Sequence, residues 1–291
     1  MRSQELTREQ LEIIEYYRNE GLICEFLEDI IESPPDAPFV LFDHQRVALR
    51  AIWDYQFVYL VWARRLGKTF TLAHAIAALA TLLSGTRQSL TIGVLSGTHR
   101  QVRIIFNEIR NIYYRSPFLQ SISLKEPKIY PDRCEWQLKG FEGFRGVSVE
   151  GYPLNSQKGS DTIRGFGFPI LFLDEFQIIP EKSYKSIFPT AAASANPALR
   201  VLKLRSRSDS FDKNRLILSG TAYWEFAPAY RVFNEFQRCM QLNMKVNELF
   251  RELGEIDEDD QAEAEDQETG ERDPPASAGG SEEEILSLEP I

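Results

Sequence analysis

The feature that most constrains the fold is one continuous stretch of the sequence, residues 58–83. Its first residues, Val58–Trp62, are β-branched, aromatic or aliphatic, and they predict a buried strand. The polar loop Arg64–Thr69 follows, and an Ala- and Leu-rich segment then predicts a helix. A strand that runs through Gly-Lys-Thr into a helix is typical of a phosphate-binding loop, because free backbone N–H groups and the positive helix end face the phosphates. In such a loop Lys68 reaches the β- and γ-phosphate oxygens, and the hydroxyl of Thr69 holds Mg²⁺.

A second motif strengthens this interpretation. The full phosphate-loop pattern has a Gly where this chain has Trp62, so Gly-Lys-Thr alone is also compatible with an ordinary strand–helix junction. Ile170–Asp174, however, is an apolar strand that ends in Asp174 followed by Glu175. Ligands of open α/β sheets bind at the carboxyl ends of the strands, where Asp174 can hold Mg²⁺ and Glu175 can polarise a water. A buried strand with an acidic exposed end is the alternative, but both motifs in this order favour a nucleotide site.

Composition bounds the class of protein. The 291 residues are 43% hydrophobic, enough for one large core or two modest ones. No apolar run approaches the roughly 20 residues of a membrane span, and the N-terminus lacks the apolar core of a signal peptide. The cysteines lie far apart, which fits a reducing compartment and no metal-ligand spacing: Cys24, Cys134 and Cys239. We therefore expect a cytoplasmic protein that is neither secreted nor bound to a membrane.

Charged residues are distributed unevenly along the chain. The net charge is −10, but residues 252–291 hold 16 acidic side chains and one basic one. Residues 1–251 carry a net charge of +5, which permits contact with a nucleic-acid backbone without demonstrating it. The acidic segment has almost no aromatic or β-branched residues, so it cannot offset the entropy of ordering. We expect a disordered acidic tail or linker.

The remaining chain divides into two regions. Residues 1–37 show helical spacing of apolar side chains on both sides of Gly21, which predicts two amphipathic helices packed on the main domain. Residues 38–251 are predicted to form one α/β domain. Its expected strands and helices, besides those already named, are a helix at 42–52 capped by Asp43, strands at 89–95, 134–138, 147–151 and 215–223, and helices at 101–114 and 230–250.

Several polar residues are candidates for the same site. Gln45 lies on the first turn of the helix before the loop, and its amide can bond both N6 and N7 of an adenine. Arg164 lies in a Gly-containing loop before the acidic strand, where its guanidinium could contact a γ-phosphate, although a solvated surface arginine is the usual case. Ser219 and Thr221 end an apolar strand and could sense the γ-phosphate or its water, or act as turn residues.

Together these residues resemble the ATPase domain of a large terminase subunit, the DNA-packaging motor of tailed bacteriophages. The resemblance covers about residues 38–250, and its most specific feature is the Gly-poor loop with arginine before Leu-Gly-Lys-Thr. It implies a three-layer RecA-like P-loop (ASCE) fold with a mostly parallel central sheet. It also implies ATP and Mg²⁺ as cofactors.

The resemblance implies a role for each matching position. Arg64 would contact the γ-phosphate or signal its loss, Glu175 would be the catalytic carboxylate, and Arg164 would be an arginine finger offered to a neighbouring subunit. Thr69 and Asp174 would hold Mg²⁺. The nucleotide-contacting set would comprise Gln45, Arg65, Leu66, Gly67, Lys68, Thr69, Ser219, Gly220 and Thr221, of which Ser219–Thr221 resembles the motif that couples hydrolysis to movement.

The implied function is ATP-driven translocation of double-stranded DNA into a procapsid in the host cytoplasm. The implied partners are DNA, a portal protein, a small terminase subunit and further copies of the chain in a ring. A full terminase also carries a nuclease domain, which is not evident here. The alternatives are half of a superfamily 2 helicase or translocase and a non-hydrolysing nucleotide-binding scaffold; the intact Lys68, Asp174 and Glu175 argue against the scaffold.

Overall fold

The structure is a computed structural model, and it describes residues 5–34, 36, 38–63, 65–86, 89–143, 145–154, 168–179, 183, 214–221, 230, 232–234 and 237–238. The chain separates into two units, Met1–Glu255 and Ile256–Ile291, and every described residue belongs to the first. The predictions for the loop around Arg164, most of the helix at 230–250 and the acidic tail at 252–291 lie outside the described residues.

The described elements form a seven-stranded mixed sheet with helices packed against it. The strand order is β1-β7-β6-β2-β5-β4-β3. The helices are α1 (Arg8–Glu20), α2 (Ile23–Ile30), α3 (Asp43–Asp54), α4 (Lys68–Leu82), α5 (His99–Tyr114) and α6 (Pro117–Ile122). The strands are β1 (Phe57–Trp62), β2 (Leu90–Ser96), β3 (Ser123–Ile129), β4 (Cys134–Leu138), β5 (Val147–Pro153), β6 (Ile170–Asp174) and β7 (Arg215–Thr221).

The sheet is mostly parallel, as predicted. Strands β1, β7, β6, β2 and β5 pair in parallel, whereas β4 pairs antiparallel with both β5 and β3. The central strands β6 and β7 are near-continuous apolar runs, which is the composition expected of strands that are buried on both faces. Their shared direction brings the carboxyl ends of β1, β7, β6 and β2 to one edge of the sheet.

Both faces of the sheet are buried. Ile92 and Phe172 belong to the main hydrophobic cluster, which also includes the apolar sides of the helices. The alternate residues of the same strands, such as Leu95 and Leu173, face the opposite way and are also fully buried. On that second face the ring of Phe168 covers Gly93 so closely that a Cβ at position 93 would lie 2.7 Å from its Cγ. A sheet buried on both sides is the middle layer of the predicted three-layer fold.

The helical N-terminal segment is confirmed. Thr7 and Gln10 form a capping box at the start of α1, and Gly21 ends the helix in the left-handed conformation with φ 68°. The apolar sides of α1 and α2 pack against α4, and Ile14, Ile23 and Phe26 are fully buried. Within the described part of the chain, no helix is both long and apolar enough to cross a membrane.

Side chains hold helix α3 at both ends, and neither of these two capping roles was predicted. The prediction that Asp43 caps it was wrong, because Asp43 is its first helical residue and Phe42 occupies the cap position. There, Gln45 Oε1 accepts a hydrogen bond of 3.0 Å from the backbone N–H of Phe42. At the other end the buried guanidinium of Arg215 donates to the carbonyls of Ile52, Trp53 and Tyr55 at 2.8, 2.6 and 3.3 Å. A cation at a helix C-terminus also complements the helix dipole.

Candidate active site

The phosphate-loop prediction corresponds to the turn between β1 and α4. Gly67 occupies the cap position of α4 with φ 76°, a left-handed conformation that favours glycine. Gly67 has no side chain to cap the helix, so the first backbone N–H groups of α4 keep their hydrogen-bonding capacity for an anion. Arg65 and Leu66 are exposed in this loop, and Thr69 lies on the first helical turn. Arg64 lies outside the described residues.

Lys68 meets both acidic residues at the end of β6. Its Nζ lies 3.3 Å from Asp174 Oδ1 and forms a second, closer ion pair with Glu175 Oε1. The side chains of Lys68 and Asp174 are only 11% and 5% exposed, whereas that of Glu175 is 24% exposed. The two predicted motifs are therefore in direct contact, although about 100 residues separate them in the sequence.

The two carboxylates have different electrostatic environments. Burial raises the pKa of Asp174 above its ordinary value, and the nearby charge of Lys68 only partly opposes this effect. Burial also raises the pKa of Glu175, but hydrogen bonds from Lys68 and Gln177 and the charge of Lys68 outweigh it, so the net pKa is lowered. Glu175 is therefore ionised at neutral pH, as a residue that orients water must be.

The oxygen atoms here fit a magnesium ion. Asp174 Oδ1 is buried, and the positive charge next to it is the ammonium group of Lys68 at 3.3 Å. The hydroxyl of Thr69 lies one residue beyond Lys68 on α4. A carboxylate and a hydroxyl are oxygen ligands of the kind that Mg²⁺ binds, with waters and substrate phosphates filling the remaining positions.

The end of β7 completes the edge of the site. Asp174 lies beside Ser219 in the parallel register of β6 and β7, so Ser219–Thr221 flank the acidic residues as predicted. The Ser219 hydroxyl is buried and has no hydrogen-bond partner among the described residues. Gln177 Nε2 donates to Thr221 Oγ1 at 3.0 Å and, through a shorter contact, to Glu175 Oε2. No sequence motif predicted a role for Gln177.

Ser96, at the end of β2, was also missed. Its Oγ lies 3.0 Å from the backbone carbonyl oxygen of Asp174 and 3.1 Å from Gln101 Oε1. Ser96 is fully buried and pairs with Asp174 in the sheet register. It therefore fixes the backbone of the metal-ligand candidate from the neighbouring strand. A small hydroxyl residue at the carboxyl end of a predicted parallel strand was the available signal.

Gln45 is close to the phosphate loop, but part of its amide is engaged elsewhere. Its side chain is buried, and its Nε2 lies 3.1 Å from where a Cβ on Gly67 would be. Because Oε1 already accepts the Phe42 N–H, reading of adenine by both amide atoms stays a prediction. The neighbouring His44 contacts the loop directly, with Nε2 3.1 Å from the carbonyl oxygen of Leu66.

The structure thus brings together most of the predicted site residues. Lys68, Asp174, Glu175 and Thr221 are connected by ion pairs and hydrogen bonds, and Gly67 and Thr69 flank Lys68. The two predicted arginines, Arg64 and Arg164, lie outside the described residues. The described arrangement can bind a polyphosphate, a divalent cation and a water next to an ionised carboxylate.

Comparisons with known proteins identify the fold. No protein-family model and no curated protein sequence matches the chain. The solved structure of the bacteriophage HK97 large terminase matches with a TM-score of 0.54 and 17% identity, covering 78% of this chain and 42% of that one. The large terminase of a thermophilic bacteriophage matches with a TM-score of 0.40 and 12% identity, covering 74% of this chain and 38% of that one.

A third match is a mutant form of the ATPase domain of the large terminase of Thermus phage P74-26. Its TM-score is 0.40 at 15% identity, and the match covers 72% of this chain and 92% of that one. The chain spans less than half the length of the first two terminases that it matches. At these identities the likeness concerns the fold, which agrees with the resemblance inferred from the motifs: the chain has the fold found in bacteriophage large terminases.

Proposed function

We propose that residues 38–251 form a magnesium-dependent ATPase, the motor part of a large terminase that moves double-stranded DNA into a procapsid. The observation that carries this proposal is the position of Lys68. Its ammonium group contacts both Asp174 and Glu175. Lys68 is also the first residue of α4, next to Gly67, which leaves the backbone N–H groups of the helix N-terminus available. A phosphate-binding lysine, a metal-ligand candidate and a water-orienting carboxylate thus share one site.

In the proposed hydrolysis, different residues of the chain bind the phosphates, hold the metal ion and orient the water. The N-terminus of α4 and Lys68 bind the β- and γ-phosphates, which draws Lys68 away from its two carboxylates. Thr69 and Asp174 would hold Mg²⁺, which when bound neutralises charge on the phosphate oxygens. Glu175 orients the attacking water and accepts its proton. Phosphoryl transfer needs little covalent help from protein, so positioning and charge account for the chemistry.

The remaining roles extend from the same resemblance. Gln45 would contact adenine, and Arg65, Leu66 and Gly67 would line the phosphates with Lys68. Arg64 would contact the γ-phosphate, and Arg164 would act on the ATP of a neighbouring subunit. Such a trans arginine contributes about 10³–10⁵ in rate in related phosphate-loop enzymes. An isolated subunit would therefore be slow until a ring assembles.

The biological setting is part of the proposal. The partners would be double-stranded DNA, a portal protein, a small terminase subunit and further copies of this chain. The place of action would be the procapsid in the host cytoplasm. The mild positive charge of residues 1–251 is compatible with DNA contact.

ATP turnover by the Glu175→Gln variant tests the enzymatic part. This substitution keeps the shape of the side chain but removes its charge, so we expect turnover to fall by about 10²–10⁴ while ATP binding is retained. Glu126→Gln is a matched control, since Glu126 is exposed on β3 at the opposite edge of the sheet. Equal turnover in the wild type and Glu175→Gln contradicts the proposed chemistry. A wild type that binds ATP but shows no turnover even at high protein concentration, where subunits can associate, supports the scaffold alternative.

A further inference from the structure

The strongest unassigned feature of the site is the side chain of Gln177. Gln177 lies in Phe176–Ile178, a short 3-10 helix that follows β6. Its amide nitrogen carries two hydrogens and donates hydrogen bonds to two acceptors, Glu175 Oε2 and Thr221 Oγ1. Both donors are therefore used to join the end of β6 to the end of β7.

Hydrogen bonding determines the orientation of this amide. A carboxylate oxygen accepts hydrogen bonds, so the end of Gln177 that faces Glu175 Oε2 is the N–H₂ group. The opposite end, Oε1, is buried against the backbone of β7, where a Cβ on Gly220 would overlap it. Gly220 thus provides the space that lets Gln177 lie across the strand.

The carboxylate of Glu175 is held at both oxygens. Lys68 contacts Oε1, and Gln177 contacts Oε2. Glu175 also has φ 52°, a left-handed conformation that is strained for a non-glycine residue and persists only when neighbouring contacts support it. Phe176 anchors the same turn, since it is buried and packs edge-to-face on Tyr59.

Binding of ATP phosphates would break one of the two contacts of the Glu175 carboxylate and leave the other intact. When phosphates bind, the ammonium group of Lys68 turns to them, and Oε1 is released to face the attacking water. The contact at Oε2 does not involve phosphate, so it can persist through the reaction. Gln177 would then be a described side chain that still holds the Glu175 carboxylate in place.

We propose that Gln177 is a positioning residue, which holds the Glu175 carboxylate in its hydrolytic orientation by bridging it to Thr221 on the neighbouring strand. This inference rests on the proposed ATPase function. It also gives the Ser219–Thr221 segment a physical link to the reaction, because any movement of the end of β7 changes the support of Glu175.

Steady-state kinetics of Gln177→Leu and Thr221→Val test the bridge. Both variants keep the approximate shape of the side chain. Gln177→Leu removes both hydrogen bonds of the bridge, whereas Thr221→Val removes only the one to Thr221. For Gln177→Leu we expect kcat to fall about 10–100-fold, as for the loss of a transition-state positioning contact, while the KM for ATP changes less than about threefold. Because the two residues act as one unit, the double variant should be no slower than Gln177→Leu alone.

Two further variants distinguish loss of Glu175 positioning from non-specific effects of a substitution. Gly220→Ala leaves Glu175, Gln177 and Thr221 intact but displaces the Gln177 side chain, so it should lower kcat in the same way. Gln137→Leu is the matched control, because Gln137 is exposed on β4, and its kinetics should equal those of the wild type.

The outcomes distinguish this inference from the proposed function. Suppose that the wild type hydrolyses ATP and Glu175→Gln does not. An unchanged or raised kcat in Gln177→Leu would then overturn the proposed positioning role of Gln177 but leave the proposed ATPase function intact. A raised kcat would mean that Gln177 holds Glu175 away from the water. Multiplicative losses in the double variant also overturn it, because independent residues behave in that way. If the wild type has no ATPase activity, the proposed function fails and this inference fails with it.

Discussion

His74 links the stability of the fold to pH. It lies in α4 with 2% of its surface exposed, and its ring stacks on Phe39 with centroids 5.3 Å apart. Phe70 covers the ring at 3.8 Å and also provides the carbonyl oxygen that accepts a 2.7 Å hydrogen bond from Nδ1. Burial lowers the pKa of His74 from 6.5 to about 4; the charge of Arg115 lowers it further, whereas the hydrogen bond opposes the shift.

The sign of the effect follows from the two protonation states. Above pH 6.5 the histidine is neutral in both the folded and the unfolded chain, so its contribution to stability is fully present. As the pH falls from 6.5 towards 4, the unfolded chain binds a proton that the folded chain excludes. Each pH unit in this window lowers the free energy of unfolding by about 1.4 kcal/mol, which amounts to about 2 kcal/mol between pH 7 and pH 5.

Urea unfolding of the wild type and His74→Phe at pH 7 and pH 5 measures this contribution. The phenyl ring keeps the aromatic packing but does not titrate, so the variant should lose about 2 kcal/mol less than the wild type over this range. Carboxylates that titrate in both proteins cancel in the comparison. Ala78→Gly, at a buried non-titrating position of the same helix, is a control for a general loss of stability, which should be equal at both pH values. An equal loss in the wild type and His74→Phe would refute the reasoning.

Two further predictions concern the scaffold around the site. Arg215→Met removes the guanidinium from the last carbonyls of α3 and should lower the free energy of unfolding by about 3 kcal/mol in urea; a loss below about 1 kcal/mol would contradict that role. Gly93→Ala places a methyl group 2.7 Å from Phe168 and should destabilise the protein by about 1–3 kcal/mol in the same assay, whereas unchanged stability would show that the ring moves aside freely.

Local sequence signals were sufficient for the parallel core of the fold. The strands ending at Trp62, Asp174 and Thr221 are apolar runs with polar ends, and each appeared where the pattern predicted it. The placement of Lys68 near both acidic residues is consistent with the predicted shared site, because parallel strands bring their carboxyl ends to one edge, but the direct ion pairs were not predicted.

The elements that were missed depend on pairing between distant segments. Strand β3 contains charged residues and Pro127, a composition that is tolerated at a sheet edge but does not predict a strand. Ser96 and Gln177 have ordinary local surroundings, and their roles arise only from the register of β2, β6 and β7. Gln45 caps α3 with the same oxygen that adenine recognition would use, which composition and spacing do not reveal.

The most direct test of the packaging-motor account is ATP turnover in mixtures of Arg164→Ala and Glu175→Ala, together with wild-type turnover as a function of protein concentration. Each variant alone should be inactive. If the site is shared between subunits, mixing them should restore part of the activity, and the specific activity of the wild type should rise with concentration. Turnover that is independent of concentration, with no rescue on mixing, would contradict the shared site and favour a monomeric ATPase or a helicase half.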